Sequence, residues 1–277
     1  MIDSKVCFTT SLTRSGKIFC SSIFASWGWY LWGVPQEVIP FLKLTQNIVH
    51  YQLATLDAFL NDPLKVWNWY LYRMWLIANA IPNPGHIAIV NFENFLKDRV
   101  VVITQNVDGL HREAGSKNFL ELHGNIFEGK CKFCGAVFTE KEFANIFPYV
   151  DKEFLKGLSD VDFKEKILEG FTERDLPICP VCREILGPGV VWFGEALPED
   201  VLSQAFSVSK GSDVFFSVGT SALVQPAAAL PIVAKESGAV LVEVNPEETS
   251  LSKQCDFVFR GSAARVLPAI FKEVKNL

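Results

Sequence analysis

The sequence predicts an α/β protein: a doubly wound parallel sheet carrying a small metal-stapled insertion. Three observations predict it. Apolar runs of strand length recur at residues 99–104, 213–218 and 239–244, each closed by a polar loop. Helical stretches stand before and between them, and strand, loop, helix, strand at this spacing is the pattern of a parallel crossover sheet. From about Glu128 to Pro188 the rhythm breaks, and two Cys-x-x-Cys pairs occupy the break.

Residues 1–50 show neither clean helical nor strand periodicity. Residues 18–36 are uncharged and follow Lys5, Arg14 and Lys17, which superficially suggests a signal or anchor segment. Ser21, Ser22, Ser26, Gly28, Gly33 and Pro35 interrupt that run, and no small-x-small cleavage site stands out, so no membrane partner is expected. Residues 53–59 and 63–80 read as helices, the second opened by Asp62 and Pro63. Pro84–Leu96 is a further amphipathic helix. The Arg-Val-Val-Val-Ile-Thr run at 99–104 is apolar throughout, as a strand buried on both faces must be. Residues 213–218 and 239–244 repeat that signature, with a helix between them at 226–236 and a last helix at 263–274.

Composition narrows the function. Of 277 residues 49% are hydrophobic, enough for a sizeable core and incompatible with a disordered chain. Lys and Arg number 26 against 31 Asp and Glu, a net charge of −5 with no basic block, so no nucleic-acid partner is expected. Seven Cys in a chain this long make no disulfide framework. Reduced thiolates point to a cytoplasmic setting.

Cys131-Lys-Phe-Cys134 and Cys179-Pro-Val-Cys182 are separated by 44 residues. Four thiolates from two knuckles suit tetrahedral zinc with no open position for chemistry. Gly135 after one knuckle and Pro180 within the other fit the tight turns. A redox Cys-x-x-Cys normally comes singly at a helix start, so the duplicate favours a structural metal stapling an insertion too small for its own core.

The chemistry candidates stand at strand ends. Gln105-Asn106-Val107-Asp108, Gly219-Thr220-Ser221 and Asn245-Pro246-Glu247 each follow an apolar strand, where ligands of open parallel sheets sit. Each loop alone could simply cap the next helix. Three on one edge point to a nucleotide-sized ligand. His123, beside Gly124 and between sheet and first knuckle, could be either a structural hydrogen-bonder or a base near neutral pH. His86 reads as helix-start structure, and His111 as packing or loop stabilisation.

The ordered motifs Thr104-Gln-Asn-Val-Asp-Gly-Leu-His-Arg-Glu-Ala-Gly115, Glu121-Leu-His-Gly-Asn125, the paired Cys-x-x-Cys, Val190-Val-Trp-Phe-Gly-Glu195, Gly219-Thr-Ser221 and Asn245-Pro-Glu247 resemble the sirtuin family from about Leu53 to the end. The resemblance implies an NAD-dependent protein lysine deacylase with acyl-lysine proteins or peptides as substrates. It also implies a Rossmann-like domain at 1–127 and 189–277, with a helical insertion at 51–98, and a zinc-binding domain at 128–188. The acyl-lysine would enter the cleft between them, and a monomer is expected.

Roles follow residue by residue from the same resemblance. Gln105 and Asn106 match positions at the nicotinamide ribose and the water or acyl group beside it; Val107 and Asp108 match those gripping the carboxamide. His123 matches the base that takes a proton from a ribose hydroxyl after the acyl oxygen has attacked C1′ and expelled nicotinamide; the acyl group leaves on ADP-ribose. Gly219, Thr220 and Ser221 match phosphate and ribose contacts, Asn245, Pro246 and Glu247 the adenosine-ribose loop, and Ala263 a backbone contact to adenine. Val190, Val191 and Phe193 lie in the segment that pairs its main chain with substrate peptide. Cys131, Cys134, Cys179 and Cys182 match the zinc ligands. Tyr70 and Arg73, one helical turn apart, resemble the pair of the desuccinylase and demalonylase branch, where a phenol and a guanidinium converge on one carboxylate.

One departure stands out. The family opens with a strand and a Gly-Ala-Gly-Ile-Ser loop, then Pro-Thr-Phe-Arg, and neither is found here. Ser26-Trp-Gly-Trp-Tyr-Leu-Trp-Gly33 stands where they belong, and Trp cannot replace Gly where backbone must touch phosphate. Residues upstream of about 50 read as a partly frame-shifted or mis-spliced translation. Residues 27–32 can be encoded by TGG GGC TGG TAT CTC TGG, which one base later reads Gly-Ala-Gly-Ile-Ser; both glycines are forced by the Trp codons, and the other residues need permissive third bases. Two classes stay open: an active deacylase, and a catalytically impaired, zinc-stapled acyl-peptide-binding module.

Overall fold

The computed structural model describes residues 5–10 and 50–276. The Trp-rich stretch at 26–33, and the reading of a shifted frame there, lie outside the described residues.

In chain order come β1 (Val6–Thr10), α1 (His50–Leu53), α2 (Leu56–Asn61), α3 (Pro63–Ala78) and α4 (Pro84–Leu96). Next are β2 (Val100–Thr104), α5 (Leu110–Ala114), β3 (Phe119–Glu121) and β4 (Gly124–Lys130). The Cys-bearing stretch adds β5 (Val137–Phe138), α6 (Glu140–Ile146), α7 (Lys152–Lys156), α8 (Asp160–Phe163) and β6 (Gly187–Val190). Then follow α9 (Glu199–Lys210), β7 (Val214–Val218), α10 (Leu230–Glu236), β8 (Val240–Val244), β9 (Phe257–Phe259) and α11 (Ala263–Lys275).

Six strands form one sheet in the order β3-β2-β1-β7-β8-β9, every neighbouring pair parallel. That is the Rossmann-type order, reversing beside β1. Strand alternation sends Val6, Phe8, Val100, Val102, Phe216 and Val242 to one face, where Ala88, Ile89 and Phe92 of α4 and Leu267 of α11 cover them. Cys7, Ile103, Phe215 and Leu241 fill the other face, under Ala205 of α9 and Leu230 and Ala234 of α10. Both faces are buried, so a continuous apolar run was the correct strand signature.

β1 corrects the sequence reading. Residues 1–50 show no strand periodicity in sequence, yet Val6–Thr10 is wholly buried and pairs with β2 and β7 over all five residues. A central parallel strand carries no polar alternation, and this one ends in two threonines with no glycine turn in sequence to punctuate it. Its neighbours set its register.

The chain divides into two compact units. One comprises the described residues 5–10, 81–123 and 196–276 and holds the six-stranded sheet. The other comprises 50–80 and 124–195 and holds a three-stranded antiparallel sheet, β5-β4-β6. The stretch read as one helical insertion at 51–98 is therefore shared: α1 to α3 lie in the second unit, α4 in the first. The reason is packing. Trp67 of α3 is fully buried against Phe143 and Phe147 of the Cys-bearing stretch, and its Nε1 donates to Leu186 O at 3.1 Å. Among the described residues no helix is long and apolar enough to cross a membrane.

Candidate active site

The carboxyl edge of the large sheet binds its own loops together. β2 runs out into Gln105, whose N–H donates to Thr10 O at 3.1 Å. Gly219 follows β7 with φ 64°, a backbone that suits glycine, and its N–H donates to Val244 O at 2.9 Å. Asn245 follows β8; its N–H donates to Phe259 O at 3.1 Å, and its Nδ2 to Thr220 O at 2.9 Å. Gln105 Nε2 reaches Thr220 Oγ1 at 3.4 Å. The three loops singled out in the sequence thus form one hydrogen-bonded surface. Ala263 opens α11 just beyond β9, at the same edge.

Pro246 and Glu247 are exposed, and the loop is pinned from below. Arg260 Nη1 donates to Glu247 O at 2.9 Å and to Glu243 Oε2 at 2.7 Å, while Glu243, almost wholly buried, also accepts from Ser252 Oγ at 2.6 Å. Sequence reasoning missed Glu243 and Arg260; a carboxylate inside an apolar strand was the available signal. A nucleotide fits this edge on two local grounds. The Ser221 hydroxyl is buried with no hydrogen-bond partner, and Gly219 turns where a backbone can approach a phosphate.

Asp108 and Asn106 act as a pair. Asn106 Nδ2 donates to Asp108 Oδ2 at 3.1 Å and Leu110 N to Asp108 Oδ1 at 3.0 Å. Burial pushes the Asp108 carboxyl up to about 6, although these hydrogen bonds pull it back. Val107 is buried beside them.

His123 is half-buried, with Nδ1 3.0 Å from Gln105 O. A carbonyl oxygen only accepts, so Nδ1 carries the proton and Nε2 is left as the basic nitrogen. Burial pushes the imidazole below its ordinary range and so favours the neutral ring, while the hydrogen bond to Gln105 O opposes that shift. The other two histidines in the sheet unit behave as read. His86 completes a capping box with Asn83 at the start of α4, and His111 Nε2 lies 2.8 Å from Thr10 Oγ1 in the core.

In the second unit the four expected cysteines converge, their sulfurs all within 4.8 Å of one another. The distances Cys131 Sγ–Cys182 Sγ of 3.4 Å and Cys134 Sγ–Cys179 Sγ of 3.8 Å lie within about 0.4 Å of the roughly 3.8 Å spacing that tetrahedral Zn–S bonds of about 2.3 Å impose. The knuckles are twins: Gly135 N donates to Cys131 O at 3.0 Å, and Arg183 N to Cys179 O at 2.9 Å, with φ 76° and 70° at those positions. The donor set fits zinc.

Tyr70 and Arg73 share a face of α3, and the Arg73 guanidinium lies 4.7 Å from the Trp69 ring centroid and 5.7 Å from that of Tyr70. Tyr70 is buried, and its hydroxyl accepts from Trp192 Nε1 at 2.8 Å. Burial raises the phenol to about 12, so it keeps its proton for a further acceptor. Val190 ends β6 opposite Gly124, where φ is 74° and a Cβ would overlap Gly189 O. Phe193 N donates to Ala54 O at 2.9 Å, so that amide already has a partner; Val191 and Phe193 are half-buried. Trp192 and Glu195 belong to the 190–195 motif but were given no role of their own in the sequence, and Lys132, which contacts this segment, went unselected because its partners lie about sixty residues along the chain.

A Sir2 family model matches residues 43–226. The chain belongs to the Sir2 family. A relative from Pyrococcus furiosus, named NAD-dependent protein deacylase, is 44% identical over 226 residues, covering 82% of this chain and 81% of its own. One of the same name from Aquifex aeolicus is 42% identical over 225 residues, 81% and 82% of the two chains. Among solved structures, a Sir2 homologue in complex with NAD superposes with a TM-score of 0.74 at 34% identity, covering 99% of this chain and 91% of that one. A Sir2 structure with a p53 peptide and NAD+ gives 0.68 at 27% identity, covering 99% and 95%. The Sir2 fold of these neighbours agrees with the parallel sheet and cysteine cluster described above.

Proposed function

We propose that this chain removes acyl groups from protein lysines with consumption of NAD, and that it favours acyl groups ending in a carboxylate, succinyl and malonyl. The observation that carries the reading is the His123–Gln105 hydrogen bond, which leaves a neutral, oriented imidazole on the same loop system as the nucleotide-fitting edge. The relatives' names and the NAD and peptide complexes of the solved neighbours support it.

Bound NAD would supply an electrophilic ribose C1′ with nicotinamide as its leaving group, and water would balance the reaction as the acyl–lysine C–N bond breaks, the amine leaving as free lysine and the acyl group on ADP-ribose. The chain's own residues do the rest. Gln105 and Asn106 orient the ribose side, and Asp108 and Val107 hold a carboxamide, the Asp108 carboxylate accepting from its NH₂. His123 Nε2 takes a proton from a ribose hydroxyl. Gly219, Thr220 and Ser221 bind phosphate and ribose, Asn245 to Glu247 the second ribose, and the Ala263 backbone the adenine. Cys131, Cys134, Cys179 and Cys182 hold a structural zinc. Val190, Val191 and Phe193 serve the peptide main chain.

Tyr70 and Arg73 set the acyl preference. A succinyl carboxylate buried without a partner is costly, and a guanidinium stacked on Trp69 with a neutral phenol beside it offsets that cost. Cysteines with no disulfide among the described residues suit a cytoplasmic setting.

The Trp-rich stretch at 26–33 favours one second reading, an acyl-peptide-binding module with impaired catalysis. Isothermal titration with NAD separates the two. Saturable binding in the micromolar to millimolar range supports the enzyme, and no heat of binding supports the module.

A further inference from the structure

Lys132 sits inside the first Cys-x-x-Cys turn, yet its side chain is only 1% exposed. Three partners meet its ammonium. Nζ donates to Val190 O at 2.8 Å and to Glu195 Oε2 at 2.9 Å, and lies 4.1 Å from the centroid of the Trp192 ring. Glu195 Oε2 also accepts from Trp192 N at 2.8 Å, and Glu195 N donates to Trp192 O at 3.0 Å. One cation therefore grips both ends and the middle of the 190–195 segment.

The metal turn does not need this. In the twin knuckle the corresponding residue is Pro180, exposed to solvent, and the turn closes with the same backbone bond. Burying an ammonium is costly unless paired, and buried pairs are better at fixing one geometry than at adding stability. What this pair fixes is the turn from Val190 to Glu195. Trp192, held by Lys132 from one side, donates through Nε1 to Tyr70 on α3, so the same tether reaches the acyl-preference residue.

We propose that Lys132 is a positioning residue for the acyl-peptide: it ties the 190–195 segment to the zinc knuckle and makes peptide affinity depend on that knuckle. The inference rests on the reading of this segment as the peptide-pairing one.

The test compares Lys132→Met, which keeps the stem over Trp192 but removes charge and donors, with Lys132→Arg, Glu195→Gln and the Met/Gln double variant. Three quantities are read on the full chain: acetyl-lysine peptide affinity by fluorescence anisotropy, amide hydrogen exchange across 190–195, and zinc content. Lys132→Met should weaken peptide binding about tenfold, the equivalent of one lost hydrogen bond to a charged group. It should also speed exchange at Trp192 and Glu195 while one zinc is retained. Arginine should restore part of the affinity, and the double variant should be no worse than either single one. Unchanged exchange and affinity with zinc in place would overturn the proposal. If Lys132→Met loses zinc or fails to fold, Glu195→Gln, remote in sequence from the cysteines, decides by the same two readouts. Faster exchange with unaltered peptide affinity would overturn the assignment of the segment to peptide, and leave the tether standing.

Discussion

His123 Nδ1 lies 3.0 Å from the carbonyl oxygen of Gln105. The bond fixes the tautomer, leaves Nε2 as the nitrogen with a free lone pair, and ties the ring to a residue at the end of β2. General-base catalysis contributes roughly 10²–10⁴-fold. His123→Ala should lower turnover by that order and leave the NAD dissociation constant within a few-fold, measured by calorimetry. A variant with near-full turnover would move the base elsewhere.

NAD affinity should depend on pH through Asp108. Burial lifts its carboxyl to about 6, so it is ionised at neutral pH and becomes protonated as the pH falls through that value. A protonated carboxyl accepts less well from the carboxamide NH₂, and NAD binding should weaken on acidification between about pH 7 and 5. Asp108→Asn should bind NAD more weakly and flatten that dependence. The same acid limb in the variant would assign it to another group.

Cys131→Ala should release one equivalent of zinc and unfold the unit that carries β4 to β6, because metal binding and folding are coupled there. Metal analysis with a thermal melt in chelator checks this. A protein that carries no zinc yet melts cooperatively and unchanged in chelator would refute the four-thiolate site.

Much of this was legible in the sequence, for physical reasons. β2, β7 and β8 are buried on both faces, so their apolar runs stood out, and the knuckles announced themselves by spacing. β1 did not, because Val-Cys-Phe-Thr-Thr has no pattern of its own and is specified by β2 and β7. The sharing of helices between units was hidden for a similar reason: what assigns α3 is Trp67 meeting Phe143, Phe147 and Leu186. Lys132 illustrates the limit. A lysine in a metal turn reads as a solvated side chain, and only the fold brings Val190, Trp192 and Glu195 onto it.

Acyl preference should follow Arg73. Hydrogen bonds to a charged group contribute roughly 1.5–3 kcal/mol, which corresponds to about ten- to a hundredfold tighter binding of succinyl- than acetyl-lysine peptide. Arg73→Met should abolish that advantage and leave acetyl-lysine binding nearly unchanged. Equal affinity for the two peptides before the mutation would make Tyr70 and Arg73 packing residues of α3.

Mass spectrometry of the products formed from the purified chain, NAD and a succinyl- or acetyl-lysine peptide tests NAD-dependent deacylation itself. Deacylated peptide, nicotinamide and O-acyl-ADP-ribose should form in equal amounts, with none formed when NAD is left out. Peptide that is bound but returned with its acyl group, NAD remaining intact, would contradict it.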